Sequence, residues 1–298
     1  MRHVKARCLR IIPILLLLQI LCACPRVDGI RAYNIIEQPE RSRTDITVMS
    51  YNIRVGRGAS RPGVDPFRLT SYEEKLFPVA QAIRSVDPDI IGLQEVHGFW
   101  QAKRLAEMLR MNFAYVSHDT GGKRNPWWGV AVLSRYPITD SRELRLSTGR
   151  GNSKSALVCT INVAGQPITV LSVHKDKDLR NGMSFKRLMA ATKDIETPLV
   201  LVGDFNVVES DWRLDLLRPM FIDSALVSES KEASIARDIG TFKGIGRIDY
   251  IFVESKYFQV IDSGIIAPKY WDASDHIGYY ARMSTYLTGN TNSISSIE

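Results

Sequence analysis

Several apolar segments of the 298-residue chain end in, or enclose, a polar side chain of a kind that enzymes use for acid–base chemistry or metal binding. These side chains are Asn52, Glu95, His174, Asp204, Asn206, Asp249, Asp275 and His276. A carboxylate buried in a dry sheet is costly unless it is paired or bound to a metal. At the end of a strand it can instead line a cleft along the edge of the sheet. The recurrence of acids, amides and imidazoles at strand ends therefore predicts a catalytic site.

Each of these residues also has an ordinary structural interpretation when it is taken alone. His174 could be a satisfied core or rim histidine, and Asp249 could be a buried acid held by Arg247. Asp204 and Asn206, in the segment VLVGDFNVVES, could form an Asx turn that caps the following helix. All of these ordinary interpretations would have to hold independently at the same time. The set of polar residues as a whole therefore favours a catalytic site.

Hydrophobic periodicity alternates between strand-like and helix-like segments along the chain. Strands are predicted at DITVMSYNI, DIIGLQEV, WGVAVLSRYPI, SALVCTINV, PITVLSVH, PLVLVGDF, RIDYIFV and HIGYYARM. The fourth and fifth of these favour a hairpin across AGQP, and Gly203 is expected to let the chain turn out of the sheet. Three amphipathic helices are predicted, of which Pro78 should begin or kink the first and Ser184 should cap the third. Strands mixed with helices on this scale predict an α/β sandwich, with two sheets covered by outer helices.

The first 24 residues have the layout of a secretory signal, with a basic start followed by the apolar run IIPILLLLQILCAC. The run is shorter than the ~20 apolar residues that a spanning helix needs, although an uncleaved anchor is an alternative. The segment LCAC also resembles a bacterial lipobox, which would make Cys24 the lipidated first residue of the mature chain. We therefore expect an exported protein, secreted or held in the cell envelope, with membrane association through its N-terminus if Cys24 is lipidated.

Removal of residues 1–24 changes the global charge and the cysteine count. The number of Lys and Arg residues falls from 39 to 35 while the number of Asp and Glu residues stays at 32, so the formal charge falls from +7 to +3. The remaining positive charge is only weak support for a nucleic-acid partner. Cys159, in a predicted strand, is then the remaining cysteine and is interpreted as a small core residue. Residues 25–44 are predicted to be a linker, 45–287 a single catalytic domain that is expected to be monomeric, and 288–298 a disordered tail.

The motifs occur in an order that resembles one known superfamily. MSYNIR, DIIGLQEV, VAVLSRYPI, LSVHKD, LVGDFN, RIDYIF and SDH follow the pattern of the endonuclease/exonuclease/phosphatase superfamily, the metal-dependent phosphohydrolases similar to pancreatic deoxyribonuclease. The resemblance spans residues 46–283. It implies a four-layer α/β sandwich, two mixed β-sheets packed together and covered by outer helices, with the active site at one edge of the sheets.

The resemblance also implies a metal site. Glu95 resembles the principal Mg²⁺ ligand of the superfamily, and Asn52 and Asp275 would complete or support the site directly or through water. Magnesium prefers hard oxygen ligands and keeps several waters, so carboxylates and an amide oxygen suit it. Mn²⁺ is the alternative ion.

The remaining motif residues resemble the groups that act on the phosphate. Asp249 would orient His276 beside the scissile phosphate, and His174 would donate a hydrogen bond to a phosphate oxygen. Asp204 would position or deprotonate the attacking water, and Asn206 would donate to the phosphoryl oxygen. Either Asp204 or His276 could be the general base.

The substrate class depends on parts of the chain that match less well. His174 resembles the deoxyribonuclease, sphingomyelinase and inositol-phosphatase branches, and differs from the abasic endonucleases. Loop 117–129 combines basic residues with Trp127 and Trp128, which could pack on the sheet, contact lipid headgroups or stack on bases. We expect a phosphate-ester substrate and favour a lipid headgroup or small phosphoester over nucleic acid. A secreted nuclease and a non-enzymatic binding module on the same fold are the alternatives.

Overall fold

The computed structural model describes residues 30–36, 45–59, 72–120, 123–146, 152–175 and 182–286. The predicted signal segment with Cys24, and the predicted tail, lie outside these described residues. The strands are β1 (Ala32–Tyr33), β2 (Asp45–Asn52), β3 (Ile90–Val96), β4 (Asn112–Thr120), β5 (Lys123–Ser134), β6 (Ile138–Arg145), β7 (Asn152–Ser153), β8 (Ser155–Val163), β9 (Gln166–His174), β10 (Leu199–Asp204), β11 (Ile222–Asp223), β12 (Asp249–Val253), β13 (Phe258–Ile265) and β14 (Tyr279–Thr285).

Helices are interspersed with these strands. The α-helices are α1 (Tyr72–Val86), α2 (Gly98–Leu109), α3 (Met183–Thr192), α4 (Ser224–Val227) and α5 (Lys231–Ile239), and short 3₁₀ helices lie at Arg54–Gly56, Trp212–Leu216 and Pro268–Ala273. None of the helices in the described ranges is long and apolar enough to cross a bilayer.

The strands form two sheets. The first has the order β1-β4-β5-β3-β2-β14-β13, with β7 paired to β4, and the second has the order β11-β12-β10-β9-β8-β6. Both sheets are mixed, because β2 runs parallel to β3 and β9 runs parallel to β10 while their other neighbours are antiparallel. The predicted hairpin of β8 and β9 is confirmed.

Three apolar layers hold this arrangement together. The central layer lies between the sheets and contains inward-facing residues such as Val48, Val132, Val170 and Val202. A second layer packs α1 and α2 on the first sheet, and a third packs α3 and the Trp212–Leu216 turn on the second. The predicted α/β sandwich with outer helices is confirmed. Cys159 is buried in the central layer, as expected of a small core residue.

Several local expectations were wrong or incomplete. Strands β4, β6 and β13 were not predicted. Strand β6 lies at the end of its sheet beside β8, and its sequence ITDSRELR is mostly exposed or half-buried, so it lacks an apolar run. Helix α1 begins at Tyr72 and continues through Pro78, because Leu76 and Val79 bury on either side of the exposed proline.

The N-terminus of α3 also differs from the prediction. Gly182 is the N-cap, in the left-handed conformation, while Ser184 lies inside the helix and is buried. Within the predicted linker, Ala32–Tyr33 pairs with β4, and the Asn34 side chain exchanges two hydrogen bonds with the backbone of Ile138. Tyr33 stacks on Phe113 at 4.9 Å, so this part of the segment is integrated into the first sheet.

Gly203 has a different role from the expected turn. It lies inside β10, between Val173 of β9 and Tyr250 of β12, and the strand continues through Asp204. A Cβ atom at this position would overlap the carbonyl oxygen of Val173. The glycine is therefore required for the close approach of β9 and β10, not for an exit from the sheet.

Candidate active site

The sheet topology brings the predicted site residues to one edge of the sandwich. Asn52, Glu95, His174 and Asp204 lie at or near the carboxyl ends of β2, β3, β9 and β10. Asp249 begins β12, which is antiparallel to β10, and His276 precedes β14, which is antiparallel to β2. The amino ends of antiparallel strands lie beside the carboxyl ends of their neighbours, so both residues reach the same edge.

Asp204 occupies the centre of this edge. Its Oδ2 atom accepts a hydrogen bond of 3.1 Å from Nδ2 of Asn52 and lies 3.8 Å from Nε2 of both His174 and His276. The side chain is buried. Burial raises the pKa of Asp204 to about 7, together with the nearby charge of Asp249, while His276 and the hydrogen bonds of Asn206 and Asn52 oppose the shift. A carboxylate with this pKa can both accept and release a proton near neutral pH.

His276 forms the predicted pair with Asp249. Its Nδ1 atom lies 2.8 Å from Oδ2 of Asp249. Burial by itself would lower the pKa of His276, but the charge of Asp249, its hydrogen bond and the further acids Asp204 and Asp275 raise it to about 9. The imidazole is therefore protonated at neutral pH. Arg247, the alternative partner of Asp249, instead pairs with Asp223 at 2.6 Å and with Glu209 at 2.9 Å.

His174 has the opposite electrostatic character. Burial lowers its pKa well below the usual value, and the positive charge of Lys154 and the nearby rings of His118 and His276 lower it further. Its ring is therefore neutral at pH 7. The two imidazoles that face Asp204 thus differ in charge, one cationic and one neutral.

Glu95, Asn52 and Asp275 offer the oxygen atoms that the predicted metal site requires. Burial raises the pKa of Glu95, Asp275 raises it further, and Lys154, Asn52 and His276 lower it. Glu95 keeps part of its side chain accessible at a positive φ of 54°, where β3 bulges against β5. Two carboxylates and an amide oxygen form a hard donor set that fits a divalent cation.

The partners of Asn52 and Asp275 also fit this assignment in part. Oδ1 of Asn52 accepts from the backbone amide of Arg54 at 3.1 Å and keeps a second lone pair. Oδ2 of Asp275 lies 3.1 Å from Nε of Arg54, so Asp275 would have to share its charge between this arginine and an ion.

A different trio also has a geometry that could hold a cation. Asp204, Asp249 and His276 each place one ligand atom within 4.8 Å of the others. Nδ1 of His276 already contacts Oδ2 of Asp249 at 2.8 Å, so the two groups would have to share or break this contact to bind an ion. By donor chemistry, the all-oxygen set of Glu95, Asn52 and Asp275 is the better match to a hard divalent cation.

Asn206 supports Asp204 through its backbone. Its amide nitrogen donates to Oδ1 of Asp204 at 2.9 Å, in the Asx turn that the sequence allowed, and its own φ is 52°. Its Nδ2 atom donates to the carbonyl oxygen of Lys175 at 2.9 Å. The turn does not cap the next helix, since Asp211 accepts from Arg213 at the Trp212–Leu216 turn.

Two residues at the site, His118 and Lys154, were not predicted as members of it. His118 is buried 5.4 Å from the His174 ring, and its Nδ1 atom accepts from the backbone amide of Ser155 at 3.1 Å. Lys154 lies against His174, and its Nζ atom is 4.8 Å from the centre of the Trp128 ring. Residues 117–120 and 123–129 of the predicted loop instead lie in β4 and β5. This segment was noted for Trp128, but His118 there follows no strand-end pattern, and nothing in the sequence pairs Lys154 with His174. The side chain of Trp127 lies outside the described part.

A buried carboxylate beside two imidazoles, at the edge of a two-sheet sandwich, can carry out acid–base chemistry on a bound water. A family model described as the Endonuclease/Exonuclease/phosphatase family matches residues 49–276, which include every predicted site residue. The chain belongs to this family. Its members are phosphoesterases, so the protein is a hydrolase of phosphoester bonds.

Individual relatives are distant. Protein cwh43 of Schizosaccharomyces pombe is 26% identical over 151 residues, which are 47% of this chain and 15% of that protein. The chain therefore spans a small part of that relative. The structure of an endonuclease/exonuclease/phosphatase from Bacteroides vulgatus has a TM-score of 0.65 and 21% identity, covering 82% of this chain and 100% of that chain. A mannosyl-6-phosphatase from Bacteroides thetaiotaomicron has a TM-score of 0.59 and 20% identity, covering 80% and 99%. At these identities the structures share the fold.

Proposed function

We propose that the protein is an exported, Mg²⁺-dependent phosphoesterase in which Asp204 and His276 drive the attack of water on a phosphate ester. One observation carries this proposal: Oδ2 of Asp204 lies 3.8 Å from Nε2 of each of two imidazoles that differ in charge. These atoms are too far apart for a direct hydrogen bond and too close for a third atom to lie on the line between them, so a water molecule or phosphoryl oxygen can contact both from the side.

Asp204 is the proposed general base. Its pKa of about 7 lets it accept a proton from the attacking water near neutral pH. His276, already protonated, stabilises negative charge on the phosphoryl group and can donate a proton to the departing oxygen. Asp249 holds the His276 ring through the 2.8 Å contact to Nδ1, which leaves Nε2 directed at the site.

His174 and Asn206 complete the proposed set. A neutral His174 can donate one N–H to a phosphoryl oxygen without adding charge. Asn206 keeps Oδ1 of Asp204 occupied through its backbone amide, so Oδ2 is the oxygen that meets the water. The Asn206 amide donates to Lys175 with one hydrogen and has a second for the phosphoryl oxygen.

Glu95 is the proposed principal ligand of Mg²⁺, with Asn52 and Asp275 beside it, and Mn²⁺ is the proposed substitute. The bound ion would act as a Lewis acid on a phosphate oxygen. The partial exposure of the Glu95 side chain supports this role, because Mg²⁺ retains waters and needs an open side.

We propose a small phosphoester or a lipid headgroup as the substrate. The predicted export signal, and the small formal charge that the chain would have without residues 1–24, support this choice over nucleic acid. The name of the Bacteroides thetaiotaomicron mannosyl-6-phosphatase is in line with a small phosphoester. We further propose that the mature protein is a monomer in the cell envelope, with Cys24 as the lipidated residue if the segment LCAC is a lipobox. The mass of the mature N-terminus tests this, since a diacylglyceryl adduct on Cys24 separates an anchored from a free protein.

A substrate panel tests the enzymatic proposal. The full chain would be assayed on p-nitrophenyl phosphoesters, phosphatidylinositol, sphingomyelin, RNA and plasmid DNA, with Mg²⁺ and with EDTA. We expect turnover of a small or lipid phosphoester with Mg²⁺, loss with EDTA, and loss in Asp204→Ala and His276→Ala. The variant Lys103→Met, on the exposed face of α2, serves as a control that keeps activity. Efficient degradation of plasmid DNA alone would favour the nuclease alternative, and turnover that survives both substitutions would contradict the proposal.

A further inference from the structure

Lys154 lies at the entrance of the active site, immediately before β8. Its Nζ atom is 3.3 Å from Nε2 and 3.4 Å from Nδ1 of His174. An ammonium at nearly equal distances from both ring nitrogens lies against the face of the imidazole, not at one lone pair. The amine therefore contacts the ring that borders Asp204.

Trp128 also contacts this amine. The Nζ atom is 4.8 Å from the centre of the indole ring, within the range of a cation–π contact. Trp128 is 37% exposed, whereas His174 is buried. The ammonium thus contacts both an exposed indole and a buried imidazole.

The site contains the positively charged side chains Arg54, His276 and Lys154. The Arg54 guanidinium is 3.1 Å from the Asp275 carboxylate, so part of its charge is neutralised. His276 lies on one side of Asp204, and His174, which carries Lys154 against its face, lies at the same 3.8 Å distance. Two positive charges therefore lie on the two sides of the site that face Asp204. One is on the His276 ring itself, and the other is the Lys154 ammonium against the His174 ring.

We propose that Lys154 is a substrate-specificity residue whose ammonium binds a terminal oxygen of the phosphoryl group and makes the site selective for phosphomonoesters over phosphodiesters. The inference rests on the proposed function, since it assumes that the phosphoryl group binds between His174 and His276. At neutral pH a phosphomonoester carries close to two negative charges, and a diester carries one. Because Coulomb energy scales with the charge of the ligand, a second cation favours the dianion.

Paired substrates with one leaving group test the selectivity. We would measure kcat/KM for p-nitrophenyl phosphate and bis(p-nitrophenyl) phosphate with the full chain. Lys154→Met should lower the value for the monoester roughly 10-fold or more and the value for the diester by less than about threefold. Lys154→Arg retains the charge and should keep most of the preference. Lys103→Met is the matched control, because Lys103 lies over Trp100 at 5.5 Å on the exposed face of α2.

The outcomes of this comparison are distinct. An equal loss on both substrates in Lys154→Met, or no loss on either, overturns the specificity role. A wild-type protein that turns over neither compound counts against the proposed function, and the binding measurement below then decides the inference by itself.

Trp128 provides a readout that needs no turnover. Inorganic phosphate and dimethyl phosphate would be titrated into the protein while the intrinsic tryptophan emission is recorded. Phosphate should move the Lys154 ammonium from the indole and change the emission, with a weaker response to dimethyl phosphate. The change should disappear in Lys154→Met and in Trp128→Phe and remain in Lys103→Met. A phosphate response in Lys154→Met equal to that of the wild type overturns the inference.

Discussion

Nδ2 of Asn52 donates a 3.1 Å hydrogen bond to Oδ2 of Asp204, and this bond joins the two sheets at the catalytic edge. Asn52 ends β2 of the first sheet and Asp204 ends β10 of the second. Both side chains are buried. The bond therefore couples the proposed metal side of the site to the proposed general base.

Substitution of Asn52 tests this coupling. Asn52→Ala removes the donor to a buried carboxylate, which should cost about 1–3 kcal/mol of unfolding free energy and most of the activity. Ser50→Ala is the control, because Ser50 lies buried on the same strand and its Oγ has no hydrogen-bond partner in the described part of the chain. Denaturant unfolding and kcat/KM would be measured for both. Equal effects of the two substitutions would argue against a specific role for the bond.

The pH dependence of activity should follow the Asp249–His276 pair. The raised pKa of His276, about 9, keeps the ring protonated through neutral pH, so activity that needs this proton falls above pH 9. The stability from the pair is fully present below the unfolded value near 6.5 and is lost as the pH rises through about 9. Asp249→Asn removes the charge that raises the pKa, so the alkaline limb of the kcat/KM profile should move towards neutral pH. Asp272→Asn, an exposed acid paired with Lys243, should leave the limb in place.

The buried His118 should make the protein sensitive to acid. Burial, with a contribution from the Lys154 charge, lowers the pKa of His118 to about 3. In the unfolded chain it binds a proton below about pH 6.5, so stability is present above that value and is lost as the pH falls towards 3. Between pH 7 and 5 this amounts to about 2 kcal/mol of unfolding free energy. His118→Gln should lose correspondingly less over the same interval. An unchanged pH dependence in this variant would contradict the prediction.

Glu95→Gln tests the proposed metal ligand. The substitution keeps the shape of the side chain and removes the charge that attracts a hard cation. The Mg²⁺ concentration for half-maximal activity should rise by an order of magnitude or more, and excess Mg²⁺ should recover part of the activity. Glu143→Gln, on edge strand β6, is a control without an expected effect on Mg²⁺ dependence. Unaltered Mg²⁺ dependence in Glu95→Gln would remove this residue from the metal site.

Gly203→Ala should damage both the fold and the site. The added methyl group would overlap the Val173 carbonyl, so β9 and β10 must separate where they present His174 and Asp204. Overpacking of this kind costs about 1–3 kcal/mol, and we expect a lower midpoint of thermal unfolding together with reduced activity. Gly165→Asn, in the β8–β9 turn, places a Cβ atom in open space but at a φ of +90°, so it should lower stability modestly through backbone strain and leave activity unchanged. A stable and fully active Gly203→Ala protein would show that the strands tolerate the separation.

The central strands were predictable because their sequences carry long apolar runs. Strands β2, β3, β9, β10 and β12 are buried on both faces, and each presents its polar residue where the run ends or begins. Edge strand β6 and the short strand β1 were missed, because one or both of their faces meet solvent and no apolar run marks them. The location of a polar residue at a strand end is local information, and the chain displays it directly.

The sequence by itself determined the family, the sandwich class and the candidate set from Asn52 to His276. Only the tertiary structure decided which of these residues meet: Asp249 pairs with His276 while Arg247 turns to Asp223, and Asn52 reaches Asp204 across the two sheets. It also added Lys154 and His118 beside His174. The physical reason is that strand periodicity depends on neighbours in sequence, whereas burial, partner choice and the charge of each imidazole depend on sheet order and on the distance between the sheets.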